Sequence, residues 1–148
     1  MAKGTTFEGD VLTMLLCGLP ISSFSATGGT TKLWAAIHTG DPSGGNQGTN
    51  EVTLTAYTRI SIDRSTASAG WTVTAGTSSG TAASASPNTA VTFPTLTSTS
   101  TATASFFSIG HSSSGTGKLY YTGSLSPTVA LGQNVALQLT TGTALTEA

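Results

Sequence analysis

An all-β fold, a jelly-roll-like or Greek-key β-sandwich with a short N-terminal helix, is predicted by three features of the chain. From Val52 to Asp63 apolar and polar residues alternate, with Val52, Leu54, Ala56, Thr58, Ile60 and Ile62 on one side and Thr53, Thr55, Tyr57, Arg59, Ser61 and Asp63 on the other. Period two over that length marks a strand with one buried and one wet face. Further short apolar runs recur between clusters of Gly, Ser, Asn and Pro, seven or eight strands in all, the spacing of a two-sheet sandwich. Ser and Thr make up about a third of the chain, and Thr suits half-buried pleated surfaces. Disorder, the competing reading of such a composition, requires high net charge and few aromatics. Here the net charge is −1 and aromatic residues recur throughout.

In chain order, Thr5 to Gly18 reads as an amphipathic helix. Thr5 and Glu8 form a capping-box pattern, Val11, Leu12, Leu15, Leu16 and Leu19 supply a broad apolar face, and Gly18 with Pro20 is a stop signal. The helix either plugs one end of the β-core or reaches a neighbouring subunit. Residues 1–31 are therefore expected to be a helix and linker arm, and 32–148 the sandwich domain. Leu33, Ala35 and Ile37 open a strand near the sheet centre, and 40–50 is a surface excursion too long for a tight turn. Trp71, Val73 and Ala75 mark the next strand, while Gly76 to Thr89 is low-complexity and loop-like. Val91 and Phe93 begin a strand that Pro94 ends or confines to an edge. Strands follow over Thr101–Ile109, Lys118–Leu125 and Asn134–Leu139, the first two separated by the polar turn HSSSGTG.

Function classes are narrowed mainly by exclusion. Only 7% of residues are charged, against roughly 25% in ordinary domains. A surface so poor in charge is hard to keep soluble alone, so much of it is expected to be covered by a partner. Five Lys and Arg spread thinly do not suit a phosphate backbone, so no nucleic-acid partner is expected. A single cysteine, Cys17, excludes an internal disulfide and a cysteine-built zinc site. The apolar run Val11–Ile21 follows acidic rather than basic residues and is too short to span a bilayer. Cytoplasmic synthesis and no membrane role are expected.

From Ser65 to Gly117 there is no Asp, Glu, Lys or Arg. Acid–base and metal-assisted chemistry need converging ionisable groups, so no enzyme, metal or cofactor is expected. His38, Asp41 and Glu51 could be drawn as a metal site or an oriented base. Hydrogen bonding that shapes the 40–50 loop accounts for them better, since Asp41-Pro42 initiates a turn and the carboxylate can accept backbone N–H groups. The loop also lacks the alternating ligands of a dedicated calcium site. Gly110-His111-Ser112-Ser113-Ser114 resembles a hydrolase nucleophile elbow, but Ser114 stands where the second glycine is required. Tyr57 falls on the wet face of its strand, and one of Phe106/Phe107 and one of Tyr120/Tyr121 must point away from the core. With the helix leucines they suggest a docking surface, for which Leu12, Leu16, Tyr57, Phe107 and Tyr120 are the candidates.

Motifs along the chain support a family resemblance. They are Glu8/Leu12/Leu16 in the helix, LWAAIHTGDP (Leu33–Pro42), NEVTLTAYTRISI (Asn50–Ile62), GWTV (Gly70–Val73), Val91-x-Phe93-Pro94, FFSIG (Phe106–Gly110) and GKLYYTGSL (Gly117–Leu125). The chain resembles a family of small tailed-bacteriophage virion proteins, often labelled tail-fibre-like, whose members resemble capsid decoration or cement proteins. The resemblance implies a jelly-roll-like domain without enzymatic activity. It implies a head decoration protein on the capsid exterior, clamping neighbouring major capsid protein subunits and associating with itself as a dimer or trimer. The alternative is a tail-fibre or baseplate component binding host surface glycans, with Trp34, Trp71 or the tyrosines in an open groove. A hydrolase of surface polymers, using His38, Asp41 and His111, is the third reading.

Overall fold

The computed structural model describes residues 2–19, 31–75 and 82–147. They form an all-β sandwich carrying one helix. A five-stranded antiparallel sheet has the order β1-β8-β7-β2-β3, with β1 Ala2–Lys3, β2 Lys32–His38, β3 Ile60–Asp63, β7 Ala102–Gly110 and β8 Leu119–Leu131. A three-stranded sheet β10-β5-β4 (β4 Trp71–Thr74, β5 Ala83–Pro87, β10 Leu145–Glu147) and a two-stranded sheet β6-β9 (β6 Val91–Thr92, β9 Gln138–Leu139) complete it. Ile37, Ile62, Trp71, Val91, Phe93, Phe107, Ile109, Leu131 and Leu139 join all three sheets in one buried core. The sandwich architecture expected from the alternation and turn signals is the one observed.

The main sheet is covered on both faces, which a reading of alternation alone does not foresee. Ala35 and Ile37 of β2 face the core. Ala36 and His38 face the other way and are as fully buried. The 40–50 loop lies over that outer face, held by the Gln47 amide, which donates to the Trp34 carbonyl at 3.0 Å. Helix α1, Thr5–Cys17, covers the β8 end through Phe7, whose ring meets Tyr120 edge-on at 5.0 Å and Tyr121 at 5.7 Å. The N-terminal segment expected as an arm is thus tied to the sheet, for β1 pairs with β8 and the Gly4 amide donates to the Tyr120 carbonyl at 3.0 Å. Residues 20–30 of the expected linker lie outside the described residues.

Several local expectations are corrected. The Thr5–Glu8 capping box does not form: the N-cap is Gly4, and no side chain caps the helix. Gly4 is held to β8 before the helix begins, which moves Thr5 into the first turn. The C-terminus is as expected, with Gly18 left-handed at φ 67° and its amide donating to the Met14 carbonyl.

The long strand expected over Val52–Asp63 is broken. Glu51 bridges His38, and continuing that register would set Leu54 opposite Ala35; the structure sets Ile60 there instead. The intervening residues are extruded through a turn in which the Tyr57 amide donates to the Leu54 carbonyl and Ala56 takes φ 72°. Ion pairing of Arg59 with Glu51 overrides the alternation.

Gly76–Thr89 is not all loop: Ala83–Pro87 forms β5, the centre of the three-stranded sheet, with Val73 opposite Ala85. Residues 76–81 lie outside the described residues. Its small Ala and Ser side chains hide a strand that is specified by pairing with β4 and β10 on either side. The strand expected over Asn134–Leu139 is regular only at β9. The preceding residues follow the β6 side through single bonds, Phe93 amide to Leu137 carbonyl and Leu96 amide to Val135 carbonyl.

Candidate contact surface and the buried polar cluster

Arg59 lies at the end of the extruded segment, and its residue is 5% exposed. Its guanidinium grips the Glu51 carboxylate in a fork, Nε to Oε1 at 2.7 Å and Nη2 to Oε2 at 2.6 Å. Nη1 donates to the Ser112 carbonyl at 2.9 Å and Nη2 to the Gly115 carbonyl at 2.6 Å. Nη1 also lies 3.4 Å from Gln47 Oε1, so each of the five guanidinium N–H groups has a partner. One side chain thereby binds the 40–50 loop, the 51–59 excursion and the 111–117 turn together. The Tyr57 hydroxyl donates to Glu51 Oε1 at 3.2 Å and accepts the Ile37 amide at 2.9 Å. Burial pushes its phenol well above the ordinary tyrosine range.

Gln47 is fully buried, and its Oε1 accepts the Ser112 amide at 3.0 Å. The space it occupies exists because position 110 is glycine: a Cβ there would lie 2.1 Å from Gln47 Cδ. His38 is also fully buried. Its Nδ1 lies 2.9 Å from the Thr49 carbonyl and must donate, which leaves Nε2 to accept the Ser108 hydroxyl at 2.7 Å. The ring is the neutral Nδ1–H tautomer, and burial holds its pKa below the usual histidine value.

The His38, Asp41 and Glu51 trio does not converge. Asp41 Oδ1 accepts the Ser43 amide at 2.9 Å and closes a turn, His38 ties Thr49 to β7, and Glu51 belongs to Arg59. The loop-shaping roles expected for Asp41 and His38 are the ones the geometry displays. Among the described residues, no group of three or more His, Cys, Asp and Glu is placed to hold a metal ion. In the HSSSG turn, Ser112 Oγ donates to the Ser114 carbonyl at 2.8 Å and the Ser112 carbonyl serves Arg59. The arrangement chemically suits clamping loops to a sheet.

Of the residues expected on a docking surface, the structure leaves two open. Leu12 is 57% and Leu16 80% exposed. Tyr57 is corrected from wet to half-buried, its ring stacked on Phe93 with centroids 6.1 Å apart. Phe107 is corrected to core, because it pairs with Ile37 and faces the second layer; Phe106 is the half-buried member of that pair. Tyr120 does point away from the main core, but Phe7 buries it. Missed by the sequence reading are the exposures of Leu15 at 68% and Leu19 at 58%, and of Val73 at 67% on the edge strand β4. The leucine spacing could have revealed a second apolar face of α1, had the sites at Phe7 and Val11 been assigned to the core.

Two recesses accompany these surfaces. An apolar cleft of about 400 Å³ lies between the sheets, bounded by Leu33, Trp71, Val73, Ala85, Tyr121 and Leu145. A more polar hollow of about 230 Å³ lies beside Glu51, Tyr57, Ser113 and Gly115. Trp71 and Tyr121 line the first, whereas Trp34 lines neither.

A family model described as podophage GP4 fiber I protein gp80 matches residues 22–145. The match spans β2 through the start of β10 and leaves β1 and α1 outside. A search of curated proteins finds no match. The named family is that of a phage fibre protein, in keeping with the virion character implied by the motifs but without pointing to capsid decoration. On a match covering most of its length and all of its central sheet strands, the chain belongs to the podophage GP4 fiber I protein gp80 family, a family of phage virion structural proteins.

Proposed function

We propose that this chain is a non-catalytic structural subunit of a podophage fibre, acting through protein contacts rather than through chemistry on a substrate. The observation that carries the reading is the family match across nearly the whole sandwich. The polar cluster supports it, because Arg59, Glu51, Gln47 and His38 are engaged with one another and with loop backbone. Groups held this way stiffen loops and are poorly placed to move protons on a substrate. The surface also supports it: leucines stand exposed on α1, and among the described residues β4 is an edge strand whose Thr72, Val73 and Thr74 are exposed. An open edge of that kind accepts a further strand from a partner.

Cryo-electron microscopy of the intact virion tests the proposal. Density for this sandwich in the tail or its fibres is the expected result. Density bridging major capsid subunits on the head would replace the fibre reading with the decoration reading.

A further inference from the structure

The three-stranded sheet ends at β4, and its hydrogen bonding fixes which groups of that strand face outward. Trp71 stands opposite Pro87, which has no N–H to donate, and the Trp71 amide donates away from β5, to the Ser65 carbonyl at 2.8 Å. One step earlier the Asn88 amide donates to the Gly70 carbonyl at 2.9 Å. Antiparallel ladders alternate bonded and non-bonded pairs. Thr72 and Thr74, opposite Ser86 and Ser84, therefore turn their backbone groups to β5, and Val73 turns its N–H and C=O to the open side. Val73 is 67% exposed and lines the apolar cleft beside Ala85 and Leu145. Among the described residues, the other outer strands are blunted by charge or brevity. Strand β1 is two residues long and carries Lys3, β3 carries Asp63, β10 carries Glu147, and β6 and β9 have two residues each. Residues 71–75 hold no charge, proline or glycine, and Thr72, Val73 and Thr74 are β-branched. An edge of that composition has nothing to discourage pairing.

We infer that β4 is the contact for a second copy of the chain, paired antiparallel with its own counterpart about a twofold axis at Val73, so that the two three-stranded sheets run together. In that register Val73 meets the partner's Val73 as a bonded pair, each amide donating to the other's carbonyl. Ala75 falls opposite the partner's Trp71, and Thr72 opposite the partner's Thr74. A second copy fits this edge in charge, in hydrogen bonding and in side-chain size. Identical uncharged segments meet without like charges opposed. Both outward groups of Val73 are satisfied by one symmetric exchange, as an isologous contact requires. On the cleft side the two valines cover each other and the large Trp71 faces the small Ala75, while threonines pair on the outer face. The inference deepens the reading of the chain as a structural subunit and rests on it. A contact this short is weak between free molecules and is strengthened when neighbours are held together in an assembly.

Disulfide trapping of the full chain in a Cys17→Ser background reads the register. Bonded antiparallel pairs hold their Cα atoms about 5.5 Å apart, within disulfide reach, whereas diagonal neighbours lie about 8 Å apart, beyond it. On mild oxidation Val73→Cys should therefore cross-link to itself about tenfold faster than Thr72→Cys or Thr74→Cys alone. Mixing Thr72→Cys with Thr74→Cys should give the cross-linked heterodimer. Sedimentation velocity of the unmodified chain up to about 500 µM should show a dimer with a dissociation constant on the order of 100 µM. Val73→Lys sets two cations opposite each other and should abolish that dimer, with the thermal midpoint unchanged because the position is exposed. A monomer at every concentration overturns the inference, as do equal cross-linking rates at the three positions or a dimer that survives Val73→Lys. Capture of Val73→Cys by a different virion protein in oxidised particles, without the self-linked product, overturns it as well. Each of these outcomes leaves the virion mapping to decide the fibre reading separately.

Discussion

Arg59→Met removes the cation that ties three loops together, and its cost can be worked from the geometry. The Arg59 side chain is 2% exposed and that of Glu51 16%, so both charges sit largely out of water. Removing one partner of a buried pair costs about 3–5 kcal/mol, because the remaining charge keeps its desolvation penalty without its Coulombic partner. After the substitution Glu51 keeps only the Tyr57 hydroxyl, and the Ser112 and Gly115 carbonyls lose their donors. Exposure of Ser113 and Ser114 lets water reach those carbonyls, so the total stays near that range. For a domain of this size the thermal midpoint should fall by roughly 10–15 °C. Arg59→Lys keeps the charge but not the fork, and should cost about half as much. Urea unfolding followed by tryptophan fluorescence gives the free energies. Adding Glu51→Leu to Arg59→Met should recover at least about 2 kcal/mol relative to the sum of the single losses. A loss below about 1 kcal/mol for Arg59→Met would refute the claim that this pair organises the loops.

Three further outcomes are expected. Gly110→Ala drives a methyl to 2.1 Å from Gln47 Cδ and should cost about 1–3 kcal/mol through overpacking, read by the same unfolding assay. Ala56→Gly relieves a left-handed φ of 72° at an exposed turn, and its net gain after the entropy of glycine should be about 0.5 kcal/mol. His38 is buried neutral with its pKa lowered by desolvation, so the unfolded chain takes up the proton first as pH falls. The stability from the neutral ring is therefore complete above about pH 6.5 and lost as pH drops toward the folded-state pKa. Unfolding midpoints from pH 8 to pH 5 should fall more steeply for the native chain than for His38→Asn, and equal slopes would count against the assignment.

Much of this protein is written in local pattern. The β class follows from alternation and turn residues, because a strand's side chains alternate whatever it pairs with. The helix from Thr5 to Cys17 and its stop at Gly18 follow from local rules in the same way. The turn made by Asp41 is equally local, since its carboxylate reaches an amide two residues away.

Tertiary structure decided the rest. Arg59 occupies a wet position by alternation, yet Glu51, Ser112 and Gly115 draw it inward and break the strand, a contest local pattern does not contain. Tyr120 was legible as pointing off the core, but its burial depends on Phe7 arriving from more than a hundred residues away. The small residues of Ala83–Pro87 carry almost no strand signal, and two neighbouring strands specify them. The general strand period and the glycine stop of the helix are properties of adjacent residues and survive in one dimension. Which face of the sheet is covered, and which side chains of α1 stay exposed, depend on what the rest of the chain lays over them.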